Sequence, residues 1–377
     1  MHEQSCDVAV IGGGPAGSAC AIALRQTFPS LHVSMIESTG YTQPRAGEVL
    51  PPVARALLSH LGVLQQVDSA QASPSCGLAS AWGSDTLEQK DYFYGTTGEG
   101  WHLDRSRFDA MLAQQANSLG SEVWLQTSLQ EAERTEDGWR LRLSGNKRLA
   151  AKWVVDATGR KAAFARSQGI TQDVQDKLTA YLRVVRCHEE SSAQTMIEAA
   201  PQGWWYTAPL PAGRRVVALL TDADIGRQLD LTSDLQWRQA LESTQHMRHF
   251  IASDAPFEER MVRSAATLSL QMTHGQGWIA TGDAAAAYDP LSGRGMVHAL
   301  RSGIVAAFAT GDMLCHGQSS GLIRYATMLR AQLSRFEEAK VKHYAREERW
   351  TEQPFWQRRQ RGVHQNNSSQ TKVGVYG

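Results

Sequence analysis

The stretch VIGGGPAGSACAIAL, residues 10–24, carries three glycines in the spacing Gly12-x-Gly14-x-x-Gly17. Before it, Asp7-Val8-Ala9-Val10-Ile11 is a short apolar, β-branched run of the kind that forms a buried strand. After it, Ala19 to Leu24 favours a helix. In such a strand, turn and helix, Gly12 permits the tight turn, Gly14 lets backbone N–H groups approach a pyrophosphate, and Gly17 lets the helix pack on the strand. Gly12, Gly14, Pro15, Ala16 and Gly17 are therefore expected around a dinucleotide. LHVSMIE, residues 31–37, reads as a second strand ending in Glu37, twenty residues beyond Gly17, where a carboxylate takes ribose hydroxyls. A glycine-rich turn without a nucleotide is the alternative, and Glu37 weighs against it.

The chain of 377 residues is long enough for one large or two medium domains with a substantial core. Lys plus Arg and Asp plus Glu both number 38, so no global field favours nucleic acid or an anionic membrane. Cys6, Cys20, Cys76, Cys187 and Cys315 show no CxxC spacing, which fits neither a disulfide framework nor a metal site, and a reducing cytoplasm is the expected home. No basic region followed by an apolar core marks a secretory signal. No apolar run approaches the roughly 20 residues a spanning helix needs.

Further along, GYTQPRAGEVLPP (residues 40–52) is a loop leading into an apolar helix over 53–64, and Asp104 is placed to cap a helix bearing Phe108, Met111 and Leu112. Strand patterns follow at 122–125, 139–143 and 152–155, closed by DATGR. Segments 179–211 and 214–222 alternate as a second sheet, 232–253 reads as helical, and Gly277 to Ala280 reads as a strand running into TGDAAAAYDPLSGRGMVHALRSG. A helical region over 296–350 precedes a polar tail. These patterns divide the chain into a discontinuous domain (1–75, 100–178 and 265–320), a substrate domain (76–99 and 179–264), a C-terminal helical region (321–361) and a flexible tail (362–377).

Four motifs in order resemble the FAD-dependent monooxygenases of the glutathione-reductase-like fold, the group holding aromatic hydroxylases and tryptophan halogenases: the glycine motif with Glu37, Gly47-Glu48 in PRAGEVLPP, Asp156-Ala-Thr-Gly159, and Gly282-Asp283-Ala-Ala. The resemblance implies an α/β, Rossmann-type FAD-binding fold with a β-sheet substrate domain and C-terminal helices. It implies FAD, O2 and a reductant such as NAD(P)H. Asp283, after a buried strand and opening a helix, suits the ribityl hydroxyls. In DPLSGRGM the resemblance implies that Pro290, Gly293, Gly295 and Met296 lie at the flavin, with the backbone N–H groups of Gly293 to Met296 facing the reduced ring. Arg45 and Arg105 match the family's FAD-contacting arginines, with a surface role as the alternative. Arg160 and Arg166 match its segment near the pyrophosphate.

GEVLPP (47–52) and GWWYTAPLP (203–211) are relatives of the halogenase hallmarks GESLPP and W-x-W-x-I-P, but Tyr206 and Ala208 depart from the second. The lysine and glutamate of the halogenase site are missing: residues 76–85 hold no lysine, and Ser292 follows Asp289-Pro290-Leu291. Hydroxylation then needs a dry cavity, an ordered ring and at most one base. Trp82, His102, Trp204, Trp205, Tyr206 and Tyr288 are the candidates to line that cavity, packing being the alternative for each and a satisfied structural histidine the alternative for His102.

A closer resemblance is to the flavoproteins that mature the cysteine tryptophylquinone of lysine and glycine oxidases. It is carried by GEVLPP, AWGSD (81–85), GWHLDRSRFDAML (100–112), GWWYTAPLP and YAREERW…PFW (344–356). This implies a protein substrate, the precursor of a quinone-dependent amino-acid oxidase, and a monomer or weak dimer. The alternatives are a hydroxylase, less favoured a halogenase, of a small aromatic metabolite, a geranylgeranyl-type reductase on the same fold, and a non-catalytic flavin-containing assembly factor whose arm is RFEEAKVKHYAREERWTEQPFWQRRQR (335–361).

Overall fold

A computed structural model describes residues 4–67, 72–75, 77–91, 98–187, 194–252 and 254–360. The expected tail, 362–377, lies outside the described residues. The chain divides into two compact units. Among the described residues, one comprises those within 4–73, 103–175 and 267–333, and the other those within 74–102, 176–266 and 334–360.

The first unit is built on a parallel sheet in the spatial order Glu122–Trp124, Val33–Ile36, Gln4–Ile11, Lys147–Asp156, Trp278–Ala280. Val8, Ala9 and Val10 have no exposed surface, as a strand with both faces covered requires. Register places Ile11 level with Ile36 and with Asp156, so the glycine turn, the Glu37 carboxylate and the DATG segment leave the sheet at one end. This carboxyl edge is where open α/β sheets bind ligands. Strands Leu129–Thr135 and Gly138–Leu143 form an antiparallel meander onto Lys147–Asp156.

Helix Pro15–Thr27 packs against helix Gly295–His316 through small residues: a Cβ on Gly303 would lie 2.2 Å from the Ala16 carbonyl oxygen. Helix Arg105–Ser118 starts as expected, with Asp104 accepting from the Arg107 N–H at 3.2 Å.

Three expectations are corrected in this part of the chain. Asp283 does not open a helix: it lies in a single 3-10 turn, Gly282–Ala284, followed by strand Ala286–Ala287 and a second 3-10 turn, Pro290–Ser292. The helix begins only at Gly295, after the Asp289-Pro290 turn. The long C-terminal helix is two, Gly295–His316 and Ser320–Ala345, broken at Gly317, whose left-handed backbone ends the first. The apolar helix expected over 53–64 is one short helix, Arg55–His60, between 3-10 turns.

The second unit holds a seven-stranded sheet in the order Phe257–Ser264, Leu178–Arg186, Arg214–Asp222, Gly203–Leu210, Thr195–Ala200, Gly77–Ala81, Glu88–Asp91. All neighbours are antiparallel except Thr195–Ala200 with Gly77–Ala81. One face carries Tyr181, Val185, Trp205, Val217 and Leu219 against Trp237 and Leu241 of helix Asp234–Glu242. The segment read as helical over 232–253 is that helix plus one 3-10 turn, Met247–Phe250.

Candidate functional site

The glycine turn is shaped by close backbone approach. Gly12 has a positive φ of 110°, and a Cβ there would lie 2.2 Å from the Ala157 carbonyl oxygen. A Cβ on Gly17 would lie 1.9 Å from the Gly12 carbonyl oxygen. Gly14, by contrast, faces open space and caps helix Pro15–Thr27 with no side chain. The first-turn N–H groups of that helix are therefore left for a ligand.

Glu37 is buried, and Oε2 accepts from the Gly13 N–H at 2.8 Å. Its Oε1 accepts from the Thr39 N–H (2.9 Å), the Thr39 hydroxyl (2.6 Å) and Arg45 Nη2 (2.8 Å). Tyr41, in a left-handed backbone conformation at φ 60°, donates its hydroxyl to the Gly13 carbonyl at 2.8 Å. Arg45 stacks over the Tyr41 ring at 5.2 Å.

Neither Arg45 nor Arg105 is a loose surface arginine. Both bond Asp109, which has no exposed side-chain surface. Arg105 also donates to the carbonyls of Ala46 (2.6 Å) and Gly47 (3.3 Å). Burial pulls the Arg45 guanidinium down, but the charges of Asp109 and Glu37 outweigh it and hold the group above its ordinary value. Glu48 is buried, and its carbonyl accepts from the Leu103 N–H at 2.7 Å.

Asp156 serves the fold in a way the motif did not disclose. Its carboxylate accepts from the Thr158 N–H (3.0 Å), the Thr158 hydroxyl (2.7 Å) and the Ala165 N–H (2.8 Å). Desolvation raises its pKa against those bonds, as for a buried turn-holding acid. Gly159, with φ 65°, faces open space. Arg160 Nε lies 3.5 Å from Asp283, and Arg160 Nη2 donates to the Tyr288 carbonyl at 3.2 Å, whereas Arg166 is exposed. Thr281 N–H donates to the Asp156 carbonyl at 2.8 Å, and a Cβ on Gly282 would press to 2.6 Å of the Ala16 Cβ. Ser302, given no role by the sequence, accepts from the Gly282 N–H at 3.0 Å.

Gly293 and Gly295 are exposed with open space before them, Pro290 is exposed and Met296 buried. Helix Gly295–His316 has no side-chain cap, so its first N–H groups are open. Tyr288 stands edge-on to His298 at 4.6 Å, and burial pushes its phenol up to about 12. Burial holds His298 below the usual histidine range, with Asp283 opposing.

The first unit thus gathers the motifs: Gly12 meets Ala157, Gly282 meets Ala16, and Glu37 meets Gly13. The residues present fit FAD. Glycines leave open space where a Cβ would fill the cradle, two uncapped helix starts offer donors, and Glu37 and Asp283 offer acceptors. Sequence reading missed Tyr41, Asp109, His298 and Ser302. Of these only Asp109 had a signal, the i,i+4 pairing with Arg105.

The aromatic candidates lie elsewhere, five of the six in the second unit. Trp204 and Trp205 are adjacent on one strand and point to opposite faces, so they do not line one cavity. Trp205 packs on Trp237 at 5.0 Å. Trp204 donates to the Tyr344 hydroxyl at 3.1 Å, and Trp82 donates to the His343 carbonyl at 3.0 Å while stacking edge-on with Trp204, Tyr344 and Trp356. These three indoles are core. Tyr206 is half-buried on the same strand. His102 is buried with Nε2 2.8 Å from the Thr195 hydroxyl, and burial lowers its pKa to about 4.

The proposed C-terminal arm is also corrected. Tyr344, Phe355 and Trp356 are buried, Trp356 donates to the Ala200 carbonyl at 2.9 Å, and Arg358 and Arg359 clasp Asp222. Residues 344–360 are part of the second unit because their aromatic rings complete its core.

Among the described residues no group of three or more His, Cys, Asp or Glu could hold a metal ion, and no helix is long and apolar enough to cross a membrane. Residues 5–338 match the FAD binding domain family. The putative FAD-dependent oxidoreductase LodB of Marinomonas mediterranea is 28% identical, over 94% of this chain and 97% of its own length. The peptidyl tryptophan dihydroxylase QhpG, essential for tryptophylquinone cofactor biogenesis, superposes with a TM-score of 0.73 at 26% identity, covering 94% of this chain and 79% of that structure. The myxobacterial chondrochloren halogenase CndH shares the fold, with a TM-score of 0.86 at 19% identity over 98% of this chain and 90% of that one. With the motifs gathered on one sheet edge and the match running through most of its length, the chain belongs to the FAD binding domain family and is a FAD-dependent oxidoreductase.

Proposed function

We propose that this protein is a FAD-dependent monooxygenase that hydroxylates a tryptophan side chain of a precursor protein, in the making of the tryptophylquinone cofactor of an amino-acid oxidase. The observation that carries the reading is the joint likeness to QhpG and LodB along nearly the whole chain. Halogenases are similar to this chain in sequence as well as in fold, but residues 76–85 hold no lysine and Ser292 follows Asp289-Pro290-Leu291.

In this reading the first unit holds FAD. Glu37 would take the adenosine ribose, the turn Gly12 to Gly17 the pyrophosphate, Asp283 the ribityl chain, and the N–H groups of Gly293 to Met296 the ring. The chemistry FAD supplies when bound is activation of O2 with electrons from NAD(P)H or another reductant. The chain's own residues bind, orient and exclude water. With the three core indoles set aside, half-buried Tyr206 is the aromatic candidate of the second unit that is left for a substrate role. His102, buried with Nε2 2.8 Å from the Thr195 hydroxyl, suits the structural role weighed for it. The precursor protein is the partner, and the free cysteines Cys6, Cys20, Cys187 and Cys315 suit a reducing cytoplasm.

The test is the intact mass of a quinone-dependent oxidase precursor produced with and without this protein. Oxygen added to a tryptophan only in its presence is the expected result. An unchanged mass, with the protein loaded with FAD and reducible, would transfer the assignment to a free aromatic metabolite.

A further inference from the structure

Helix Arg105–Ser118 buries one carboxylate completely, that of Asp109. Two guanidinium groups converge on it. Arg45 Nη1 donates to Oδ2 at 2.9 Å, and Arg105 donates Nη2 to Oδ2 and Nε to Oδ1, both at 3.2 Å. Each arginine then reaches onward. Arg45 Nη2 donates to Glu37 Oε1 at 2.8 Å and to the Thr39 hydroxyl at 2.7 Å, while Arg105 Nη1 holds the carbonyls of Ala46 and Gly47. Four charged groups form one chain of two acids and two bases, running from the end of the second strand to the Gly47-Glu48 loop.

A buried carboxylate persists only when paired and hydrogen-bonded, and a planar guanidinium bonded on two edges has little rotamer freedom left. Without the anion, Arg45 and Arg105 would be two cations side by side and would swing apart. Without Arg45 in place, Glu37 would present an unbalanced negative charge close to a pyrophosphate.

We propose that Asp109 is the positioning residue of the cofactor site: with no exposed surface to touch FAD itself, it fixes Arg45 against Glu37 and Arg105 against the Gly47-Glu48 loop, so that ribose acceptor and loop are set by one anion. This rests on the assignment of Glu37 and that loop to FAD.

The experiment measures FAD affinity of the full chain by flavin fluorescence, and amide exchange over residues 43–50 in cofactor-free protein, for Asp109→Asn, Glu37→Gln and the double variant. Asp109→Asn is expected to weaken FAD about tenfold or more, by loss of charge-assisted bonds. It should speed exchange in the loop alone, and the double variant should fall well short of additive. Wild-type affinity in Asp109→Asn with weakened binding in Glu37→Gln would overturn the role of Asp109 and leave the site assignment standing. Unchanged affinity in both would overturn the site assignment and this inference with it. Additive losses with faster exchange throughout the parallel sheet would show a merely structural residue and overturn the inference. Should Asp109→Asn not fold, Asp109→Glu keeps the charge but moves it by one methylene. A smaller loss of affinity with the same local exchange supports the role, and wild-type behaviour overturns it.

Discussion

The turn at Gly12 to Gly17 and the sheet around Trp204 were both read from short motifs, yet they differ in what the fold does with them. In the first unit the motif residues keep space and bonding capacity open: Gly14, Gly159, Gly293 and Gly295 face empty volume, and two helix starts have no side-chain cap. In the second unit the motif residues close on each other. Trp82, Trp204, Tyr344 and Trp356 interlock on one face, and Trp205 and Trp237 on the other. Glycine motifs keep space open because a residue without a side chain fills little volume. Aromatic motifs disclose little, because packing is what large rings do best.

Four measurements bear on that contrast. If the aromatic face is core, Trp356→Ala should cost the second unit about 3–5 kcal/mol, read by urea unfolding, and Trp356→Phe much less. A near-wild-type midpoint for Trp356→Ala would mean the indole is not needed for packing and would reopen the face as a binding wall. If the first unit is the cofactor half, Asp283→Ala should lose a charge-assisted hydrogen bond of about 1.5–3 kcal/mol to FAD, seen as a raised dissociation constant in a flavin titration. Full retention of yellow colour and affinity would count against that acceptor.

His102 sharpens the comparison through pH. Its folded pKa, lowered by burial to about 4, lies below the ordinary 6.5, so the unfolded chain takes up the proton first. Stability should fall as pH drops from about 6.5 towards 4 with a slope of about one proton that His102→Gln removes. An identical slope in the variant would mean that His102 titrates normally. The smallest effect is expected at Asp224, which pairs with Arg358. The Arg358 hydrogen bonds hold the Asp224 carboxyl down at about 2, so its contribution is present above the ordinary 3.8 and lost as pH falls through about 2. At a partly exposed pair Asp224→Asn should cost no more than about 1 kcal/mol, measured as a thermal shift near neutral pH that vanishes in acid.

The fold class was legible because period and punctuation carry it. The run at Asp7 to Ile11, the glycine turn and the strand before Glu37 each follow from local preference, and the family match agrees. Asp104 was legible as a cap for the same reason, since capping is settled within three residues. What failed to show is of another kind. The 3-10 turns around Asp283 replaced a helix because Asp289-Pro290 and the approach of Gly282 to Ala16 govern that segment from outside it. That residues 344–360 complete a core did not show because Tyr344, Phe355 and Trp356 are too sparse to form a pattern, and their partners lie far away in the sequence.

Sequence alone determined the strand and glycine-turn order, the acidic group after the second strand and the presence of two sheet-forming regions, because steric freedom and hydrophobic period are properties of neighbours in the chain. Only the tertiary structure decided that Arg45 and Arg105 share Asp109, that the Asp156 carboxylate turns inward onto Thr158 and Ala165, and that Trp204 and Trp205 belong to opposite faces of a core. Those outcomes depend on which buried charge finds which partner across tens of residues. Desolvation energy then selects the pairing, and it is a property of the folded surroundings rather than of any motif.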